Sequence, residues 1–240
     1  DATKAFKLEL SDNEDVEGLP STLLDLAADT AKSEGHEKAS APDGPWVFTL
    51  DYPSFFPFMQ HSRNRMLREK MYRAYITRSS FGEWDNTENT REIMSLRQEK
   101  ARLLGFDTYA GMSLSRKMAP DVETVERLLH ELQAAAHPAA RVDFDDLKAL
   151  AAERGVPEAD DLKQWDTSYW AERLREVQYD LKDEELRPYF PLPRVLDGLY
   201  ELTERLFDVH VEEVENGVST WHEDVRYVRV YSSSGDPIAA

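Results

Sequence analysis

The spacing of apolar residues in this chain of 240 residues changes near Asp208, and this change strongly constrains the fold. Before that point apolar residues recur every three or four positions, as they do from Val125 to Leu132, which is typical of amphipathic helices. After it, the β-branched and aromatic residues of 209–214 and 225–231 are typical of strands. The sequence therefore predicts a mainly α protein, a multi-helical scaffold with a small antiparallel β-sheet that begins near the C-terminus.

Apolar spacing and capping residues also predict where the individual elements lie. The predicted helices cover Ser21–Glu34, a segment opening at Tyr52, Met66–Thr77, Thr87–Leu104, Thr108–Lys117, Pro120–Arg154, Trp165–Gln178 and Pro193–Phe207. Thr87 is the expected N-cap of its helix, and Pro138 is expected to interrupt and kink the longest one. Trp46–Leu50 is a predicted strand, and Glu215-Asn216-Gly217 a predicted hairpin turn.

Charge and composition exclude several classes of protein. Lys and Arg total 29 against 47 Asp and Glu, which gives a net charge of -18. A surface this acidic repels phosphate groups, so nucleic acid and anionic membranes are not expected partners. The chain has no apolar run long enough to cross a bilayer. It also has no cysteine, which removes disulfides, thiolate metal sites and a cysteine nucleophile.

A helical zinc peptidase site needs His-Glu-x-x-His, because this spacing places two imidazoles one turn apart with the glutamate beside the metal-bound water. Three His-Glu pairs occur, at His36, His130 and His222. The fourth residue after each is Ser40, Ala134 and Arg226 respectively, so none completes the motif. His130 and His137 lie about 10 Å apart along one helix, too far to chelate one metal.

Other candidate sites have simpler interpretations. Ser113 lacks the second glycine of a nucleophile elbow and is expected on a helix surface. The pairs Asp145-Asp146 and Asp160-Asp161 lack EF-hand spacing and are expected to face solvent. Two aromatic clusters could line a peptide channel, although core packing is the more common role; they comprise Tyr52, Phe55, Phe56, Phe58, Trp165, Tyr169 and Trp170. The sequence thus predicts no catalytic and no metal-binding residue, and leaves substrate-binding residues unknown.

A series of blocks, in order along the whole chain, resembles one family. These blocks include Trp46-Val47-Phe48-Thr49-Leu50-Asp51-Tyr52-Pro53-Ser54, Gly82-Glu83-Trp84-Asp85-Asn86, Leu103-Leu104-Gly105-Phe106, Lys117-Met118-Ala119, Trp165-Asp166, Glu185-Leu186-Arg187-Pro188-Tyr189-Phe190-Pro191-Leu192 and Trp221-His222-Glu223-Asp224-Val225. They are similar to blocks of the M3, or thimet oligopeptidase, family of zinc metallopeptidases. The resemblance implies a mainly helical, two-lobed hydrolase whose deep channel admits short peptides.

The resemblance also implies what an entire protein of this kind contains. Its zinc is held by two histidines of His-Glu-x-x-His and a later glutamate, on a helix expected after residue 240. We therefore expect an internal fragment, with residues 1–207 in the helical scaffold and 208–240 starting the small sheet next to the zinc helix. Such a fragment is expected to bind no zinc and to cleave nothing by itself. The parent is expected to be monomeric and cytoplasmic, with an organellar location also open.

Two further alternatives stay open from the sequence. The parent could be an endopeptidase or a dipeptidyl carboxypeptidase. The chain could also be a non-enzymatic helical regulatory or interaction module derived from the same fold, because it lacks a catalytic set of residues.

Overall fold

The computed structural model describes residues 2–180, 183–214, 217–222 and 224–239. They belong to two compact units, Asp1–Asp180 and Leu181–Ala240. The first unit contains α1 (Ala2–Ala5), β1 (Leu8–Leu10), α2 (Ser21–Ser33), β2 (Trp46–Phe48), α3 (Tyr52–His61), α4 (Arg65–Ile76), α5 (Thr87–Leu103), α6 (Tyr109–Leu114), α7 (Val122–Glu153) and α8 (Gln164–Tyr179). The second contains α9 (Asp183–Leu186), α10 (Leu192–Phe207), β3 (Val209–Glu213), β4 (Val228–Ser232) and β5 (Pro237–Ala239). The predicted fold class is confirmed.

Several helices begin where a polar side chain replaces the missing backbone partners of the first turn. Asn64, Thr108 and Asp121 each accept a hydrogen bond from a backbone amide two or three residues further on, at the starts of α4, α6 and α7. The N-cap of α5 is Asn86, and its side chain caps no amide. The predicted cap Thr87 is instead the first helical residue, and its hydroxyl donates to Asp85.

The long helix α7 continues through Pro138, so the predicted interruption is wrong. Proline removes one backbone hydrogen bond. The residues around it, 131–140, are all exposed, so water can satisfy the freed carbonyl group. The end of α7 follows the sequence prediction, because Gly155 adopts a φ of +67° directly after the C-cap.

The main core of the first unit lies under a two-stranded sheet. β1 and β2 pair antiparallel, with Leu8 opposite Phe48 and Leu10 opposite Trp46, and all four side chains are buried. Helices α2, α3 and α4 complete this core, through buried residues that include Leu23, Ala27, Phe58, Met59 and Met71. The three-residue strand β1 was not predicted, because it is too short to show a periodicity and its partner lies about 38 positions away.

A second core joins the end of α7 to α8. Its buried members are Leu147, Leu150, Ala151, Ala159, Leu162 and Trp170. This core fixes α8 against α7, while α3 and α4 contact α8 as well. The helix α8 is therefore packed by three helices of the first unit, and its polar side chains are drawn into the interior.

The second unit is a three-stranded antiparallel sheet, in the order β3-β4-β5, with α10 packed on β3. Val211 pairs with Val230 and Glu213 with Val228, so the strand expected over 225–231 begins only at Val228. The predicted turn involves Glu215 and Asn216, which lie outside the described residues. The division predicted at residue 207 falls inside this unit and stays a prediction.

None of the helices in the described parts of the chain is long and apolar enough to span a membrane.

Candidate functional site

The histidines considered from the sequence have different local surroundings. His36 follows α2, and its Nε2 is 3.4 Å from Glu9 Oε1. His130 is exposed on α7. His222 is exposed and its Nδ1 is 3.5 Å from Asp224 Oδ2, while Glu223 lies outside the described residues. None of these three belongs to a group of metal-ligating side chains within the described ranges.

The aromatic residues divide between core and surface. Phe58 is buried and meets Phe48 edge to face at 4.8 Å, and Trp170 is buried in the second core. Tyr52 is exposed and stacks on Phe56. Most of the clustered rings therefore contribute to packing. Their role in a substrate channel stays a prediction.

A cavity of about 210 Å³ lies in the first unit, between the end of α4 and the N-terminal segment. Its lining is mostly apolar, including Phe6, Leu50 and Trp84, with Arg78 as its cation. Arg78 lies over the ring of Tyr75 at 3.7 Å. Ligand pockets usually hold about 300–1,000 Å³, so this cavity is too small to carry a binding site by itself.

The most distinctive polar feature is a set of buried charged residues where α3, α4 and α8 meet. Asp166 is 0% exposed, Arg68 1%, Glu172 4% and Arg173 9%. Burying an ion costs several kcal/mol unless it is paired and hydrogen-bonded. Each buried ion here must therefore have a specific partner, and the partners divide into two groups.

The first group centres on Asp166, in the first turn of α8. Its carboxylate accepts hydrogen bonds from Arg65 Nη2 at 2.7 Å and from Arg68 Nη2 at 2.8 Å. It also accepts from Arg65 Nε at 3.0 Å and from the backbone amide of Lys163 at 3.0 Å. The two arginines belong to α4, so this single carboxylate connects α4 to the start of α8.

These contacts set the protonation of Asp166. Burial raises the pKa of its carboxyl group, but hydrogen bonds from Arg65, the Lys163 amide and Arg68 outweigh burial and hold the pKa below its ordinary value. The pKa of the Arg65 guanidinium is raised in turn, mainly by its hydrogen bond to Asp166. Asp166 is therefore a fixed anion at neutral pH and is unsuited to general acid catalysis.

Arg68 uses its remaining donors on the backbone. It donates to the carbonyl of Ser62 at 2.8 Å and to that of Trp165 at 3.2 Å. Its guanidinium also lies over the ring of Tyr169 at 4.3 Å. This combination of a carboxylate, carbonyl oxygens and an aromatic face suits the planar, delocalised arginine cation. Arg68 thus holds the α3–α4 connection against α8.

The second group is the α3–α8 cluster, which we define as His61, Glu172 and Glu176. One ligand atom from each of these residues lies within 4.8 Å of the others. His61 ends α3, and the two glutamates lie one turn apart on α8. Imidazole and carboxylate are ligands that zinc accepts, so this is the described group whose atoms could in principle hold a metal.

Two arginines occupy the carboxylates of the α3–α8 cluster. Arg175 Nη2 donates to Glu172 Oε1 at 2.6 Å, and Arg173 Nη2 donates to Glu176 Oε1 at 2.9 Å. Arg173 Nη2 also lies 3.2 Å from His61 Nδ1. Two carboxylates and two guanidinium groups balance in charge, so a divalent cation would have to displace both arginines. The cluster does not fit a catalytic zinc and instead connects α3 to α8.

Sequence reasoning missed both groups. His61 is separated from Glu172 by 111 positions, and Arg68 from Asp166 by 98, so no local spacing relates them. The local signals are an aspartate in the first turn of a predicted helix and the i,i+3 pairs Glu172/Arg175 and Arg173/Glu176, and all of these are common on exposed helices. Burial distinguishes Asp166 from such residues, and burial depends on the packing of α4 against α8.

Comparison with known proteins adds a separate set of findings. A protein-family model described as Peptidase family M3 matches residues 58–239. Organellar oligopeptidase A, chloroplastic/mitochondrial, of Arabidopsis thaliana is 49% identical over 239 residues, covering 100% of this chain and 30% of the relative. Probable cytosolic oligopeptidase A of the same plant is 48% identical, covering 100% and 34%. Oligopeptidase A of Haemophilus influenzae is 40% identical, covering 95% and 33%. The chain spans about a third of the length of these relatives.

Proposed function

Because this chain belongs to peptidase family M3, we propose that it forms the helical scaffold portion of a zinc-dependent oligopeptidase that hydrolyses short peptides within a deep channel. The observation that carries the proposal is the 49% identity to an organellar oligopeptidase A along 239 residues. Identity sustained over the whole chain supports a shared role for the whole segment. The parent is proposed to act in the cytosol or an organelle, the compartments that the names of the two plant relatives give for those proteins.

The scaffold role is supported by what the buried charges do. The Asp166 carboxylate connects α4 to α8, and the α3–α8 cluster connects α3 to α8 through the contact of Arg173 with His61. Each carboxylate of these two groups is bonded to an arginine. A general base needs a carboxylate or imidazole free to take a proton from water. These residues therefore position helices, and the proposed chemistry belongs to residues outside this chain.

In this proposal, zinc binds to a part of the longer protein and not to this chain. His-Glu-x-x-His does not occur in the sequence, and the α3–α8 cluster does not fit the metal. When bound in a peptidase, zinc lowers the pKa of a coordinated water and polarises the scissile carbonyl. The contribution proposed for this chain is to hold the helices that shape the peptide channel.

A chimera tests this function. The stretch of Arabidopsis organellar oligopeptidase A that aligns with this chain is replaced by residues 1–240, and cleavage of a quenched fluorescent peptide is measured with and without chelator. We expect chelator-sensitive cleavage by the chimera, and none by the 240-residue chain incubated with zinc. The host with the aligned stretch deleted is the control.

The two arms have different consequences. A chimera that folds, as judged by circular dichroism, yet cleaves nothing would contradict the scaffold role. Chelator-sensitive cleavage by the isolated chain would contradict the placement of the chemistry outside it.

A further inference from the structure

An arginine without a carboxylate partner lines the small cavity at the end of α4. The cavity has a volume of about 210 Å³, and every residue that lines it belongs to the first unit. Its apolar lining includes Phe6, Leu50, Ala74 and Trp84, and Arg78 is its cation. An apolar lining with a few polar groups is typical of sites that bind small molecules. We call it the Arg78 cavity.

The pairing of Arg78 differs from that of the arginines within α4. Arg65, Arg68 and Arg73 each pair with a carboxylate. None of the ion pairs in the described ranges includes Arg78, although acidic residues outnumber basic ones in the chain and its net charge is -18. Arg78 is half-buried. Its charge is therefore accessible from the cavity and available to an anion.

The guanidinium of Arg78 is nevertheless held in place. It lies over the ring of Tyr75 at 3.7 Å, and Tyr75 stacks on Phe55 with their ring centroids 4.2 Å apart. A guanidinium that lies over a ring uses its flat face, so the N–H donors at its edge stay free for a carboxylate. The cation is thus positioned before any ligand arrives.

Ser79 adds a hydroxyl group to the same lining. Its φ is +58°, which is uncommon for residues other than glycine, and the backbone amide of Asn86 donates to its carbonyl oxygen at 2.9 Å. No described residue forms a hydrogen bond with the Ser79 hydroxyl. The hydroxyl of Thr77, by contrast, donates to the carbonyl of Arg73. Arg78 and Ser79 therefore present two adjacent donors at the cavity.

The volume of the Arg78 cavity limits what can enter it. A whole drug-sized molecule needs about 300–1,000 Å³. A cavity of about 150 Å³ can still hold one benzene molecule. One aromatic ring or one branched aliphatic chain therefore fits inside, while the rest of a ligand stays outside.

We propose that the Arg78 cavity binds a small carboxylate that carries one apolar group. The apolar group lies beside Phe6 and Trp84, and the carboxylate accepts hydrogen bonds from Arg78 and Ser79. A guanidinium suits a carboxylate because it offers two parallel donors. A phosphate dianion matches this site less well, because Arg78 is the single cation among the described lining residues.

Two sources offer this chemistry. The C-terminal residue of a short peptide does so, because its α-carboxylate and its side chain leave the same carbon atom. The choice of a peptide rests on the proposed function. A free short-chain acid offers the same chemistry without that premise, so the test includes both.

Binding to the 240-residue chain is measured by ligand-observed NMR titration. The probes are isocaproate, the tripeptide glycyl-glycyl-leucine and the uncharged amide of each. Arg78→Gln removes the cation, and Ala74→Leu enlarges a side chain of the lining. Arg97→Gln is the matched control, because Arg97 lies over the ring of Tyr109 at 5.1 Å and does not line the cavity. Circular dichroism checks that each variant is folded.

We expect saturable binding of both carboxylates and about tenfold weaker binding of their amides, because an amide loses the charged hydrogen bonds. Arg78→Gln should weaken the carboxylates by the same factor and leave the amides unchanged. Ala74→Leu should weaken carboxylates and amides alike, and the control should bind as the wild type does. Tripeptide binding at least as tight as that of isocaproate would assign the cavity to peptide C-termini. Binding of isocaproate alone would support the site with a free acid as its ligand.

Two results would overturn the proposal. One is the absence of saturable carboxylate binding, which is also what cover of the cavity by another part of the chain would give. The other is an equal loss of carboxylate and amide binding in Arg78→Gln, which would show that Arg78 only supports the local structure. Hydrolysis by the chimera is a separate measurement. Carboxylate binding beside an inactive chimera would count against the proposed function alone, and an active chimera without carboxylate binding would count against the Arg78 cavity alone.

Discussion

Replacing Asp166 by asparagine tests the buried charge network that joins α4 to α8. The substitution keeps the shape of the side chain and removes its charge. Arg68, which is 1% exposed, then loses its paired anion and cannot recover it from solvent. Arg65 is affected less, because its side chain is 36% exposed and water can replace the lost partner.

The expected size of the effect follows from this burial. Removing one partner of a buried ion pair costs about 3–5 kcal/mol, because the other charge stays buried without compensation. For a unit of this size, each kcal/mol lowers the melting temperature by about 2–4 °C. Asp166→Asn should therefore lower the melting temperature of the first unit by about 6–20 °C.

The effect should depend on pH in a defined direction. In the folded protein, burial raises the pKa of Asp166, but the hydrogen bonds from Arg65, Lys163 and Arg68 hold it below its ordinary value. Because folding lowers this pKa, the ionised carboxylate stabilises the fold, and this contribution is complete above the pKa of the unfolded state, about 3.9. The contribution is lost as the pH falls through the lower folded value. The difference in free energy of unfolding between wild type and Asp166→Asn should therefore be constant above about pH 5 and shrink in more acidic solution.

Urea and thermal unfolding of the isolated chain, followed by circular dichroism at pH 7 and at pH 3, measure this difference. Glu69→Gln is the control, because its pair with Arg73 on the surface of α4 should be worth at most about 1 kcal/mol. This account of the network would be refuted if Asp166→Asn lowered the free energy of unfolding by less than about 1 kcal/mol. It would also be refuted if the difference in that free energy between wild type and variant widened in acid.

Further predictions concern two glycines, two serines and metal binding. Gly44→Ala should destabilise the chain by about 1–3 kcal/mol more than Gly35→Ala. Both glycines have a positive φ, but only at Gly44 would the new Cβ lie 2.9 Å from the buried ring of Trp46. Equal losses of stability in urea unfolding would contradict the ring contact. Ser62→Ala should leave stability unchanged or raise it, because no described residue forms a hydrogen bond with its buried hydroxyl. Ser54→Ala should cost about 1 kcal/mol, because it leaves the backbone amide of Thr49 without its acceptor. A larger loss of stability for Ser62→Ala than for Ser54→Ala would contradict this assignment. Chelator should not change the melting temperature of the isolated chain, because arginines hold both carboxylates of the α3–α8 cluster; a chelator-induced drop in calorimetry would identify a bound metal.

The bounds of the longer elements follow from sequence signals. The helix predicted over Ser21–Glu34 is α2, at Ser21–Ser33, and the one predicted over Pro193–Phe207 is α10, at Leu192–Phe207. Both have apolar residues repeated over several turns, so the period is well defined. The strand β1 has three residues and no such repeat, and pairing with β2 forms it.

The wrong prediction at Pro138 shows a different limit of reasoning from sequence. Proline opposes helix at its own position, and the sequence shows only that local preference. The rest of α7 outweighs it, since its last turns are anchored in the second core by Leu147, Leu150 and Ala151. Cooperative helix formation on both sides of the proline then keeps one continuous helix.

The sequence alone determined the helical character of the chain, the change to strands after Asp208 and the family to which it belongs, because periodicity and ordered blocks are properties of neighbouring residues. Tertiary structure decided which charged residues are buried. Asp166 and Glu172 look like ordinary acidic residues of an acidic helix until α3 and α4 pack against α8. The burial of both residues, and the pairing of Asp166 with Arg65 and Arg68, depend on residues that are about 100 positions apart in sequence and a few ångströms apart in space, and only the packed structure brings them together.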